Sequence, residues 1–141
     1  MRLDALLRAH AFMKVERPPE IWEADTEDFR FIPLLGEMIA ASLSRGAVLE
    51  ELTLNASNVV VPDPDPGDPG RHGPPAGEYV AVTVHGDVDW ESDLVWQPLE
   101  PRRGPLGELN ERLMNAGARY AYIRRRPRAG SITVFLPRLR P

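Results

Sequence analysis

Residues 62 to 77 of this chain are almost wholly Pro, Gly and Asp, interrupted only by Arg71, His72 and Ala76. A stretch of that composition has almost no apolar surface to bury, so it is expected as a mobile surface loop or an insertion. The core must then be assembled from the segments on either side. Just before it, Val59-Val60-Val61 reads as a short strand. Just after it, Tyr79 to Val84 is the strongest strand in the chain, β-branched and aromatic, followed by a turn at His85-Gly86-Asp87.

The rest of the chain divides around that pair. Leu3, Leu6, Leu7, His10, Ala11 and Met13 fall near a helical period, which predicts an amphipathic helix over residues 2 to 15, stopped by Arg17-Pro18-Pro19. Residues 20 to 28 are acidic and irregular, with Ile21 and Trp22 as anchors. This gives an N-terminal helix and acidic arm at 1–28, ahead of a domain at 29–141. Within that domain Phe29 to Ser44 is apolar around most of its circumference and reads as a buried helix, with Pro33 near its start and Gly46 as a C-cap. Asp87 to Gly107 has little periodicity and reads as a long loop. Leu106 to Ala116 forms a helix with Leu109, Leu113 and Met114 inward and Gly117 as its cap. The end is a hairpin, with one strand at Tyr120, Tyr122 and Ile123, a turn at 126–130, and a return over Ser131 to Leu136.

With 141 residues and 15.8 kDa the chain suits a single core. No apolar run approaches the roughly 20 residues of a membrane span, so no membrane segment is expected. There is no Cys, which removes disulfides, thiolate zinc sites and cysteine nucleophiles, and a cytoplasmic location is the default. The net charge of −4 is unevenly spread. Residues 101–141 hold ten Arg against Glu108 and Glu111, a balance of +8, which leaves −12 for the first hundred. Such asymmetry means either a basic face for an anionic partner or two halves that attract each other, and the second fits a small domain better.

The sharpest chemical signal is Glu50-Glu51-Leu52-Thr53-Leu54-Asn55-Ala56. Read as part of a helix from Ala47 to about Ser57, it sets Glu51 and Asn55 one turn apart on one face. A carboxylate can orient or deprotonate water there, and an amide oxygen can hold a hard cation beside a phosphate. The alternative is two polar residues on a solvated face.

The order of elements, with Glu51-Leu52-Thr53-Leu54-Asn55-Ala56 in the second helix of the domain, resembles the histidine-kinase-like ATPase superfamily, whose domain is the Bergerat fold. The resemblance covers about residues 30 to 137. Glu51 to Ala56 looks like the family's N-box, Gly104-Pro105-Leu106-Gly107 is similar to its glycine box, and Gly130 to Pro137 is similar to its final glycine turn and strand. The resemblance implies an α/β (α+β) two-layer sandwich, with a mixed, mainly antiparallel sheet and helices on one face. It also implies ATP and Mg²⁺ as cofactors, Glu51 as catalytic base, Asn55 as magnesium ligand, and Asn55, Asp87, Gly104 and Gly107 at the nucleotide. The chain departs from the family at the adenine motif, where Val84-His85-Gly86-Asp87-Val88-Asp89 stands for D-x-G-x-G. The reading that follows is a stand-alone, pseudokinase-like regulatory protein that controls a partner protein and binds nucleotide weakly or not at all. The alternative is a non-catalytic protein-interaction module that keeps the scaffold for its surfaces.

Other features carry bland readings. Asp87 and Asp89 fit turn chemistry. His85, His10 and His72 suggest no zinc cluster. Trp90 and Trp96 could stack a base or a partner's side chain, although pinning a loop is the commoner use. Arg124-Arg125-Arg126 with Arg128 have few aromatics among them, and a nucleic-acid partner is not expected.

Overall fold

The computed structural model describes residues 2, 13–44, 46–63, 73–86, 96–98, 105–126 and 129–140. The chain is a two-layer α+β sandwich built on a six-stranded mixed sheet. In chain order the elements are β1 (Lys14–Glu16), α1 (Asp28–Ser44), β2 (Thr53–Val61), β3 (Gly77–Gly86), β4 (Trp96–Pro98), α2 (Pro105–Asn115), β5 (Tyr120–Arg126) and β6 (Ala129–Pro137). Across the sheet the order is β1-β2-β3-β6-β5-β4. β1 runs parallel to β2, and every other neighbouring pair is antiparallel.

The side-chain alternation of a strand sorts the two faces. Leu54 and Ala56 on β2, Val80, Val82 and Val84 on β3, and Ile132, Val134 and Leu136 on β6 share one core with residues of both helices. Helix α1 contributes Phe31, Leu34, Leu35, Met38, Ile39 and Ser42, the 3-1-3-1-3 spacing of a single helical stripe. Helix α2 contributes Leu109 and Leu113. The expectation of a buried helix over 29–44 holds with one difference: Phe29 is 71% exposed, so α1 is one-faced.

Both helices stop in the same way. At the end of α1 the Gly46 N–H donates to Leu43 O (3.2 Å) and the Ala47 N–H to Ser42 O (3.1 Å). At the end of α2 the Gly117 N–H donates to Met114 O (3.1 Å) and the Ala118 N–H to Leu113 O (3.0 Å). These are Schellman closures, which need a left-handed residue, and Gly46 and Gly117 supply it at φ 104° and 105°.

The main departure from expectation is at residues 47–57, which are not a helix. Leu49–Glu51 form a single 3₁₀ turn, Leu52 is extended, and β2 begins at Thr53. The strand expected at 59–61 is therefore nine residues long and paired throughout with β3, from Thr53↔His85 to Val61↔Gly77. The physical reason is that Leu52, Leu54 and Ala56 alternate with Thr53, Asn55 and Ser57. That period-two pattern buries one side of a strand, and Thr, Asn and Ser are indifferent helix formers.

The N-terminal segment departs too. The helix expected over 2–15 does not reach Lys14, which opens β1, and residues 3–12 lie outside the described residues. Residues 13–28 are fastened to the body, with Met13 and Ala24 in the core. The Asn58 side chain accepts from the Trp22 N–H (2.9 Å) and donates to Glu20 O (2.8 Å). The Asp25 N–H donates to Pro137 O (2.7 Å) and the Leu139 N–H to Glu23 O (2.8 Å). The Arg138 guanidinium lies 4.1 Å from the Trp22 ring centroid and pairs with Glu78. Strand β4 lies within the expected loop.

Three stability outcomes follow. Gly117→Ala forces a side chain into the left-handed region, 3.4 Å from Asp25 O, and should cost about 1–2 kcal/mol. Gly36→Ala, inside α1 with nothing within 4 Å, should gain about 0.5–1 kcal/mol. Asn58→Ala strands two backbone groups of the arm and should cost about 1–3 kcal/mol. Urea midpoints read all three, and hydrogen exchange at the Trp22 amide should accelerate only in the last.

Candidate functional site: the open face of the sheet

Among the described residues both helices pack on one face of the sheet, and the opposite face carries a separate cluster made of strand side chains alone. Val61, Tyr79, Ala81 and Phe135 form its buried part, with Val59, Tyr120 and Tyr122 packed against them. Register explains the grouping. Phe135 stands opposite Tyr120 on β5 and opposite Ala81 on β3, while Val59 stands opposite Tyr79. Phe135 is the hub, with ring centroids 5.8 Å from Tyr79 (edge-on), 5.8 Å from Tyr122 and 6.3 Å from Tyr120. Tyr120 and Tyr122 are 6.0 Å apart. Each such pair adds about 0.5–1.5 kcal/mol beyond area burial. The Tyr79 hydroxyl donates to Pro75 O at 2.6 Å, which ties the segment before β3 to the cluster.

Beside the aromatic half runs a row of polar side chains. Asn55, Thr83, Thr133 and Tyr122 are successive register partners across β2, β3, β6 and β5. The Thr83 and Thr133 hydroxyls bond each other at 2.7 Å. At the edge the Asn55 amide donates to Glu16 across a long 3.5 Å, and Glu16 pairs with Lys14 at 3.3 Å.

The residues singled out from sequence do not converge. Glu51 lies exposed in the 3₁₀ turn and Asn55 lies half-buried in β2. Four residues of extended chain span about 13 Å, against about 6 Å on a helix. The carboxylate and amide therefore do not share a helical face, and the expected helical geometry is corrected on that ground. Gly107 sits in the first turn of α2. Asp87 and Gly104 lie outside the described residues, as does Trp90. His85 is exposed on β3. No group of three or more metal-ligating side chains occurs among the described residues.

A polar cleft of about 380 Å³ lies elsewhere, where the arm meets both helices, lined by Asp25, Thr26, Glu27, Arg30 and Asn115 among others. Three of its groups are engaged locally: the Thr26 hydroxyl donates to Ala116 O at 2.6 Å, and Glu27 pairs with Arg30 at 3.5 Å. Neither Glu51 nor Asn55 lines it. No helix among the described residues is long and apolar enough to cross a membrane.

Sequence reading used Tyr79, Tyr120 and Tyr122 only as strand formers and did not group them with Phe135. The signal was the alternation Tyr120-x-Tyr122 facing Ser131-x-Thr133-x-Phe135, which puts large rings on one side of a hairpin. Comparison with known protein families and with curated proteins gives no match to this chain.

The cluster has a titration signature. Burial, and secondarily Tyr122, push the Tyr120 phenol above its ordinary value of 10.0. Because the folded value is raised, Tyr120's contribution to stability is fully present below pH 10.0 and is lost as pH rises through the folded value. Absorbance titration of phenolate should show a late component that disappears in Tyr120→Phe, and unfolding midpoints should fall across that window.

Proposed function

We propose that this chain is a non-catalytic protein-interaction module that holds another polypeptide on the open face of its sheet. One observation carries the reading: on β2, β3 and β6 every described position of that face lacks Asp, Glu, Lys and Arg, and charge returns only on the flanking strands, at Lys14 and Glu16 of β1 and Arg124 and Arg126 of β5, in a chain that is 27% charged. Aromatic enrichment with loss of charge is the composition of the centre of a protein interface. Tyrosine suits it, giving large contact area with a polar end. The Thr83 and Thr133 hydroxyls of the polar row bond each other, which suits a surface that holds a partner.

Kinship with the histidine-kinase-like ATPases rests, without a shared helix for Glu51 and Asn55, on element order and the terminal hairpin. Weak Mg·ATP binding by a regulatory protein is accordingly the alternative. Two measurements separate them. A photo-crosslinking residue placed at Ser57 should capture a polypeptide in cells, and the same residue placed at Leu49, exposed in the 3₁₀ turn before β2, should not. Calorimetric titration with millimolar Mg·ATP should give no saturable heat. Saturable binding abolished by Asn55→Ala would restore the nucleotide reading, and absence of any crosslink at Ser57 would remove the one proposed.

A further inference from the structure

We infer that the end of the open face away from the aromatic cluster is an oxyanion site, taking a phosphate group through Thr53, His85 and Ser131 with Arg124 beside them. The inference goes beyond the interaction reading above and does not rest on it.

The site is one row of the sheet. Lys14, Thr53, His85, Ser131 and Arg124 are successive register partners on β1, β2, β3, β6 and β5. Neighbouring strands lie about 4.8 Å apart, so the two hydroxyls flank the imidazole within about 10 Å. Two residues further along the strands comes the row of Asn55, Thr83 and Thr133, and the two rows differ in how their polar groups are used. In that second row Thr83 and Thr133 bond each other and Asn55 donates to Glu16. In the first, the side chains of Thr53, His85 and Ser131 have no hydrogen-bond partner among the described residues.

Thr53 makes the difference costly. It is only 7% exposed, so water reaches it poorly, and a buried hydroxyl without a partner bears the whole of its desolvation cost. A ligand oxygen seated over the row satisfies it. Access is from the side of His85, which is exposed, and Ser131, which is half-buried.

The donors select the ligand. Two hydroxyls and an imidazole N–H offer hydrogens with no carboxylate among them. Cations stand at both ends of the row, but Lys14 is shared with Glu16 at 3.3 Å, which assigns the charge of the site to Arg124. The planar fork of an arginine matches phosphate. A phosphate monoester brings three acceptor oxygens and a charge of about −1.5 to −2, and so uses this donor set more fully than the two oxygens and single charge of a carboxylate.

Nuclear magnetic resonance on the full-length protein tests this, by titration with inorganic phosphate to about 20 mM at neutral pH, with sodium chloride holding the ionic strength constant. The amides of Thr53, His85 and Ser131 should shift saturably, and those of Val61 and Tyr79 at the other end of the face should not. Thr53→Val, which keeps the side-chain shape and suits a strand, should weaken binding about tenfold, and Arg124→Gln about tenfold or more. Ser131→Ala, a milder change, should weaken it severalfold. Arg112→Gln, which removes a cation of the helix layer paired with Glu37, should leave binding unchanged. No saturable shift in the wild type, or binding that none of the three row variants weakens, overturns the inference. A phosphoserine tripeptide that binds more tightly than inorganic phosphate supports the site with the group carried on a polypeptide, and equal or weaker binding supports it with a free small anion.

Discussion

The antiparallel pairing of β3 with β6 is the constraint on which the rest of this structure depends. It joins segments about fifty residues apart in register from Tyr79↔Pro137 to Gly86↔Gly130, and it decides both faces at once. On the helix side it aligns Val80, Val82 and Val84 with Leu136, Val134 and Ile132, all fully buried. Each such side chain is worth about 1.5–3 kcal/mol of burial. On the other side the same register puts Ala81 opposite Phe135 and Thr83 opposite Thr133. A slip of β6 by one residue would turn its three core side chains outward, so the apolar core fixes the layout of the open face although it does not touch it.

Two helices of 17 and 11 residues cover the core side, and the chain compensates at their edges. The arm closes the β2 side through Asn58, whose side-chain amide bonds backbone where β1 no longer runs beside β2. It then crosses to β6 through the Ala24↔Arg138 bridge. The Thr26 hydroxyl takes up a carbonyl at the end of α2, and Gly117 allows Asp25 to approach within van der Waals contact. The segment read from sequence as an arm is therefore what joins the helix layer to the sheet at both ends.

What was legible in the sequence follows the strength of local signals. Helices α1 and α2, their glycine caps, strand β3 and the terminal hairpin each carry one unopposed pattern, and each is found where expected. Residues 47–57 carry two: Val48, Leu49, Leu52 and Ala56 fit a helix, while Leu52, Leu54 and Ala56 fit a strand. Nine paired residues on β3 decided it, and a nonlocal partner cannot be read from the segment itself. Strands β1 and β4, three residues each, exist only by pairing at the sheet's edges and are too short to show a period. Glu51 and Asn55 lose their shared face for the same reason, because they stand one turn apart only if the backbone between them is helical. The charge asymmetry went to its bland reading in part: Arg112 pairs with Glu37 at 3.0 Å, and Arg138 pairs with Glu78, both across the two halves.

The contrast between the faces bears on what such a fold is for. A sheet whose second face meets only water has no reason to place Phe135 among three tyrosines there, and alternating charged residues would be the ordinary solution. Here β2, β3 and β6 carry no charged residue at the positions of that face, while Lys14 and Glu16 on β1 pair with each other and Arg124 and Arg126 hold register positions of the same face on β5. Rings that pack on one another lose rotamer freedom before any partner arrives, which lowers the ordering cost of association. The Thr83–Thr133 bond likewise ties up two hydroxyls that would otherwise require water or a partner group. On the interaction reading proposed above, a face whose central side chains are already ordered would be recognised by shape and area more than by any single polar contact.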